Sequence, residues 1–222
     1  MEYSDIDVIQ KVLHGELALF EILIRRYNAS LYKTGRSYSY NHEDTQDLMQ
    51  ETLVDAYTHL AKFENRASFK TWLLRIMLNN CFRRKEKFSV KNEMPGEIDD
   101  KSIPMFSNDH ADTTKTVVNR ELSFVIENAL QRIPLDYRMV FSLREINGLN
   151  VHETSEVLGI SEPNVKVRLN RAKTMLRKEI EKSYTTEDIF EFNLIYCDAM
   201  VNRIMTALEN GAQTRTTGVT KK

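Results

Sequence analysis

Six cations share one short stretch of the chain: Lys166, Arg168, Arg171, Lys173, Arg177 and Lys178, opposed there only by Glu162. Lysine and arginine at this density do phosphate chemistry without any covalent step, because each charge neutralised on a nucleic-acid backbone releases a counterion. A second group, Lys70, Asn79, Asn80, Arg83, Arg84, Lys85 and Lys87, surrounds Trp72. Cations and amides beside an aromatic face suit single-stranded or melted DNA, whose unstacked bases need a flat surface to lie on. A third group is acidic: Asp47, Gln50, Glu51 and Asp55 fall on one helical face that could dock on a basic helix of a partner. Covalent chemistry finds no such support. His42, His59 and His152 sit on different predicted elements without the i, i+4 spacing of a metal-binding helix, and no nucleophile and base are paired. His110 between Asp109 and Asp112 has no second ligand cluster, and Cys81 and Cys197 lack a C-x-x-C neighbour. The expectation is therefore no catalytic residue, no metal and no cofactor.

The six cations need an element to hold them in a row, and the stretch from Arg144 to Arg177 supplies one. Asn150 can cap a helix while Glu153 returns a bond to the Asn150 amide, which is a capping box. That helix stops at Gly159, where a left-handed residue permits a tight exit, and Ser161 then caps a second helix with Pro163 in its first turn. Val165, Leu169, Ala172 and Leu176 form the buried stripe of the second helix, leaving the cations outside. A cationic helix set across a short helix by a tight turn fits the major groove of DNA.

The rest of the chain reads as helices throughout. With 222 residues, 41% hydrophobic content, few glycines and prolines and no persistent alternation, it can build real cores and is all-α. The formal net charge is only -1, but it is segregated: cations crowd residues 70–87 and 166–182, acids crowd residues 93–112. Neither a leader nor an apolar run long enough to span a bilayer is visible, so a cytoplasmic protein without membrane insertion is expected. Ser4 caps a first short helix closed by Gly15, and a longer one follows to about Tyr38 with Phe20, Leu23, Tyr27 and Leu31 inward. Asn41 caps a third, with Leu48, Thr52, Ala56 and Leu60 inward; Ser68 caps a fourth, burying Phe69, Leu73, Ile76 and Cys81. Residues 89–114, with Pro95, Gly96 and Pro104, read as an acidic flexible linker. Beyond it, a helix from about Val117 to Ile133 ends at Pro134, and another from Asp136 to Gly148 buries Val140, Phe141 and Ile146, giving the reading pair its hydrophobic floor. After Ser183, Thr186 caps an extra amphipathic helix with Phe190, Leu194, Cys197, Val201, Ile204 and Leu208 in its stripe, followed by a polar tail. Two small helical domains, an acidic linker between them and a C-terminal helical extension result.

These motifs, in this order, resemble the extracytoplasmic-function sigma factors, the small two-domain specificity subunits of bacterial RNA polymerase. DLMQETLVDAY is similar to the acidic helix of the family's region two, FENRASFKTWLLRIMLNNCFRR to the segment that melts and reads the minus-ten element, and IPLDYRMVFSLREINGLNVHETSEVLGISEPNVKVRLNRAKTML to region four. The resemblance covers roughly Asp5 to Lys182. It implies residues 1–88 as region two, 89–115 as linker, 116–182 as region four and 183–222 as an extension beyond the family plan. By position, Asp47, Gln50 and Glu51 would face core polymerase, whose beta and beta-prime subunits are the implied partners together with promoter DNA. Phe63, Glu64, Asn65 and Arg66 would form the loop that receives a flipped minus-ten base, with Asn79, Asn80, Arg83 and Arg84 along the strand. Lys166, Arg168, Arg171 and Lys173 would meet the minus-thirty-five duplex. Whether an anti-sigma factor holds the protein inactive stays open. Thr154 and Ser155 stand where the family usually has an apolar residue and an alanine, and Pro163 and Asn164 replace the common glycine and threonine, which bears on how the reading helix enters the groove. The rival reading is a free-standing helix-turn-helix regulator.

Overall fold

Ser4 opens the chain as expected: its hydroxyl accepts from the Asp7 amide and the Asp7 carboxylate accepts from the Ser4 amide, so α1 (Asp5–Leu13) starts on a reciprocal cap. The computed structural model describes residues 3–91, 105 and 123–183. Met1–Arg177 form one unit and Lys178–Lys222 another. The expected linker, apart from its first residues and Met105, and the expected helix after Ser183 lie outside the described residues.

Gly15 takes a φ of 104°, and a single 3-10 turn, Leu17–Leu19, leads into α2 (Phe20–Ser37). Asn41 caps α3 (His42–Thr58) by accepting from the Asp44 amide, and acids in that first turn meet the positive end of the helix. A second 3-10 turn, Leu60–Lys62, precedes α4 (Phe69–Lys91), where the Ser68 hydroxyl accepts from the Thr71 amide. The stripes read from periodicity are buried except at Ile76 of α4, which is half-buried while its neighbour Met77 takes the core position. Phe20, Leu23, Tyr27 and Leu31 of α2, Leu48, Thr52 and Ala56 of α3, and Phe69, Leu73, Met77 and Cys81 of α4 meet in one core. Each fully buried leucine there contributes about 1.5–3 kcal/mol. Gly35 lets α2, α3 and α4 approach: a Cβ on it would stand 2.8 Å from the Thr45 methyl and 3.0 Å from the Met77 methyl.

The rear half begins with helical residues 123–131, called α5 here. Pro134 starts α6 (Leu135–Phe141), which widens into a π-helical turn, Ser142–Ile146. Its buried apolar residues are Met139, Val140 and Leu143, whereas Phe141 and Ile146 are half-buried. Gly148, φ 73°, releases the chain into α7 (Val151–Leu158), and Gly159, φ 63°, into α8 (Glu162–Ser183). The expected separate front and rear domains share a contact surface within the first unit. There α2 meets α6 and the π turn, and α4 meets α7.

Candidate nucleic-acid interface

The helix-turn-helix is built as its spacing required. Asn150 Oδ1 accepts from the Glu153 amide at 2.9 Å and the Asn150 amide donates to Glu153 Oε2 at 2.8 Å, completing the box at the head of α7. Thr154, where an apolar residue was the norm, is fully buried; its hydroxyl donates to the Asn150 carbonyl at 2.8 Å, so no polar atom is stranded. Ser155 is satisfied likewise by the His152 carbonyl. Val165 and Ala172 of α8 are fully buried and Leu169 and Leu176 half-buried, which turns Lys166, Arg171 and Lys173 outward. Asn164 is not a neutral replacement. Its side-chain oxygen accepts from Arg168 Nε at 3.1 Å, and Asp136 of α6 takes the same guanidinium at 3.2 Å, so Arg168 is held rather than free. Lys173 similarly reaches Glu145 at 2.9 Å, and Arg171 leans on the Tyr137 hydroxyl at 3.5 Å. Exposed pairs of this kind are worth 0–1 kcal/mol, so a phosphate can replace the acid at little cost.

The face of α4 has a different character. Phe63, Phe69 and Trp72 form an aromatic cluster with ring centroids 5.4–5.6 Å apart, so Trp72 is half-buried: one part anchors the core and another remains open. Glu64, Asn65 and Arg66 are exposed; Asn65 has a φ of 54°, which asparagine tolerates, and Arg66 pairs with Glu64 at 2.5 Å. A shallow recess beside this loop is lined by Asp55, His59, Trp72, Asn79, Phe82 and Arg83, with Phe82 exposed at its rim. Asn79 is exposed here, but Asn80 is not. Its amide donates to Thr52 Oγ1 at 3.3 Å and Asp55 Oδ2 at 3.1 Å, and its oxygen accepts from Arg83. Asn80, expected to line a strand, sits in the wall of the same recess but is 1% exposed, where α4 packs on α3, and it orients Arg83.

The acidic face of α3 and the cations of α4 are tied together, a link that periodicity could not show. Arg84 reaches Asp44 at 3.4 Å and Asp47 at 3.9 Å; Arg83 reaches Asp55 at 3.5 Å and Glu51 at 3.9 Å. Asp47, Gln50 and Glu51 all remain exposed. Beside them runs an apolar groove that sequence reading missed, lined by Leu17, Phe20, Met49, Leu53, Val54 and Tyr57, with Leu17 and Val54 each 58% exposed. Its signal in the sequence was the set of apolar residues Met49, Leu53, Val54 and Tyr57 of α3 outside the stripe read as inward. Among the described residues no group of acids, histidines and cysteines could hold a metal, and no helix is long and apolar enough to cross a membrane.

Comparison with known proteins accords with this geometry. Residues 23–88 match the family described as Sigma-70 region 2, and residues 123–176 match Sigma-70, region 4; together they span more than half of the chain. The ECF RNA polymerase sigma factor SigW of Bacillus subtilis is 29% identical over 78% of this chain and 94% of its own. SigM of Mycobacterium tuberculosis, also an ECF RNA polymerase sigma factor, is 28% identical over 80% of this chain and 85% of its own. Two solved structures have the same fold with a TM-score of 0.57 and 21% identity. They are CnrH in complex with the cytosolic domain of CnrY, covering 80% of this chain and 97% of that one, and the sigma factor RpoE with the anti-sigma factor NepR from Bartonella quintana, covering 73% and 96%. With both sigma regions in order and the helix-turn-helix geometry in place, the chain belongs to the sigma-70 family, as an ECF sigma factor of RNA polymerase that directs promoter recognition.

Proposed function

We propose that the three faces divide promoter work among them. Asp47, Gln50 and Glu51 dock on the beta-prime subunit of core polymerase. The loop of Phe63, Glu64, Asn65 and Arg66 receives a flipped minus-ten base, with Asn79, Arg83 and Arg84 along the displaced strand. Lys166, Arg168, Arg171 and Lys173 meet the minus-thirty-five duplex, chiefly at phosphates. The observation that carries this reading is the bridging of α3 acids by Arg83 and Arg84, which sets the acidic face and the aromatic, cationic face on one rigid helix pair. Docking of the first would thus place the second. Taking a base out of the stack costs a few kcal/mol, which a pocket recovers by stacking and edge hydrogen bonds, so no covalent chemistry is asked of this subunit. Its place is the cytoplasm, with polymerase, and an anti-sigma protein is a further partner, as NepR is for RpoE.

The test mixes the purified chain with bacterial core RNA polymerase and sequences the transcripts initiated on genomic DNA. Defined start sites sharing two upstream elements are expected, with no footprint by the chain alone. A footprint without polymerase, and no initiation with it, would instead make this a free-standing regulator.

A further inference from the structure

The outer surface of α8 is not uniformly cationic. A helix with 3.6 residues per turn sets successive side chains about 100° apart around its axis. Measured from Pro163, the directions of Val167, Asn170 and Thr174 fall within about 40° on either side, opposite the buried Val165 and Ala172. Pro163, Val167, Asn170 and Thr174 are all exposed, Val167 at 47%. Lys166 falls about 60° to one side of this line and Arg171 about 80° to the other. An uncharged line therefore runs along the centre of the outer face, with a cation on each flank.

The side chains of α8 divide the same way by what they touch. Arg168 is held by Asn164 at 3.1 Å and Asp136 at 3.2 Å, and Lys173 by Glu145 at 2.9 Å. Among the described residues, neither the Lys166 ammonium nor the Asn170 side-chain amide has a partner; only the Asn170 backbone carbonyl is engaged, accepting from the Thr174 hydroxyl at 3.0 Å. Val167 stands beside Asn170, about 4.5 Å away along the helix axis. A valine adds nothing to phosphate affinity, so its place on the centre line of a cationic face calls for a different ligand group.

A helix seated in a major groove turns its centre line to the base edges and its flanks to the two phosphate walls. Lys166 and Arg171, on opposite flanks, suit the two backbones. The one apolar group that the base edges offer there is the C5-methyl of thymine, and Val167 offers only methyls. The Asn170 amide carries an acceptor and a donor in one plane, which matches the N6 donor and N7 acceptor of adenine with two hydrogen bonds. Guanine shows two acceptors at the same place and would leave the amide oxygen unpaired. The axial offset of about 4.5 Å is close to the step of about 3.4 Å between base pairs, so the two residues address neighbouring pairs.

Resting on the sigma reading above, we propose that Val167 and Asn170 determine the base sequence this subunit selects upstream. The element carries two adjacent A·T pairs, with a thymine methyl against Val167 and an adenine edge against Asn170, while Lys166 and Arg171 contribute affinity without choice. Arg168, whose guanidinium would favour guanine, is kept off the centre line by Asn164 and Asp136. The asparagine at 164 thus acts on specificity by holding a cation aside.

The experiment joins the full chain to bacterial core polymerase, randomises the upstream element of a promoter that the complex uses, and sequences the transcripts. Two adjacent A·T pairs are expected among the most constrained positions; a selected element without them would overturn the proposal. Asn170→Ala should cut the preference for one of these pairs on the order of tenfold and leave the other in place, so an unchanged preference at both would refute the adenine contact. Deoxyuridine in place of thymine deletes the methyl without altering pairing. At the other pair it should lower initiation by the parent about fourfold, the worth of one buried carbon, and have no effect on Val167→Ala; equal losses in the two proteins would refute the methyl contact. Both replacements put alanine at exposed helical positions, where it is favoured, so the fold is kept. Absence of initiation by the parent would count against the sigma reading. The same selection on duplexes retained by the chain alone would then decide the base preference, with adjacent A·T pairs supporting it and their absence overturning it.

Discussion

Replacing Gly35 by alanine puts two effects of known size against each other. Alanine is favoured over glycine inside a helix by about 0.5–1 kcal/mol, and Gly35 sits within α2, so an open site would be stabilised. The site is closed. The new Cβ would lie 2.8 Å from the Thr45 methyl and 3.0 Å from the Met77 methyl, and Thr45 is itself fully buried with its hydroxyl on the Tyr40 carbonyl at 3.4 Å. Met77 can swing its terminal methyl aside, but Thr45 is branched at Cβ and has no comparable freedom. Overpacking of this kind costs about 1–3 kcal/mol. The net effect is a destabilisation of about 1 kcal/mol, seen as a melting temperature lower by about 2–4 °C in a unit of this size. Circular dichroism melts of the full chain measure it, and Thr45→Ser, which deletes the methyl and keeps the hydroxyl, should recover at least half of the loss in the double variant. A Gly35→Ala protein that melts at or above the parent temperature would refute the close approach of α2 to α3 and α4.

The other predictions concern the functional faces and pH. Arg171→Ala, on the exposed side of α8, should weaken promoter use several-fold and lower the slope of log affinity against log salt by about 0.9; preserved transcription from the same promoter would remove α8 from the reading role. Asp47→Lys with Glu51→Lys should abolish co-purification with core polymerase while the far-ultraviolet spectrum and melt change little, because both side chains are exposed; unchanged co-purification would sink the docking assignment. Burial pushes the Cys81 thiol up to about 12 from an ordinary 9, and the Tyr38 phenol, also by burial, up to about 12. Groups that ionise more readily unfolded than folded contribute stability that is complete below their unfolded values and lost as pH rises. Urea midpoints should therefore fall between pH 9 and 12, and a flat profile across that range would contradict the burial of these groups.

Sequence by itself determined the parts of this protein that depend on neighbours within a turn or two. Ser4, Asn41 and Asn150 are caps because a side-chain oxygen three residues from an orphan amide can hardly do otherwise, and Gly159 ends α7 because few other residues tolerate its φ. The buried stripes of α2 and α3 followed from period alone, and the two cationic helices and the acidic one were visible as composition on a face. Tertiary structure decided what those faces touch. Asn80 and Asn79 are adjacent and identical, yet one is buried under α3 and the other exposed, a difference set by where another helix crosses. Arg168 and Lys173 are held by Asp136 and Glu145, and Arg83 and Arg84 by acids of α3, through pairings between elements far apart in the chain. Whether Phe141 and Ile146 or Met139 and Leu143 would be the buried residues was likewise decided by packing, the latter two being buried and the former two half-buried. Most of all, Arg36 and Glu127 give no local sign that they belong together: each is an ordinary charged residue on a helix until the fold removes both from water at once.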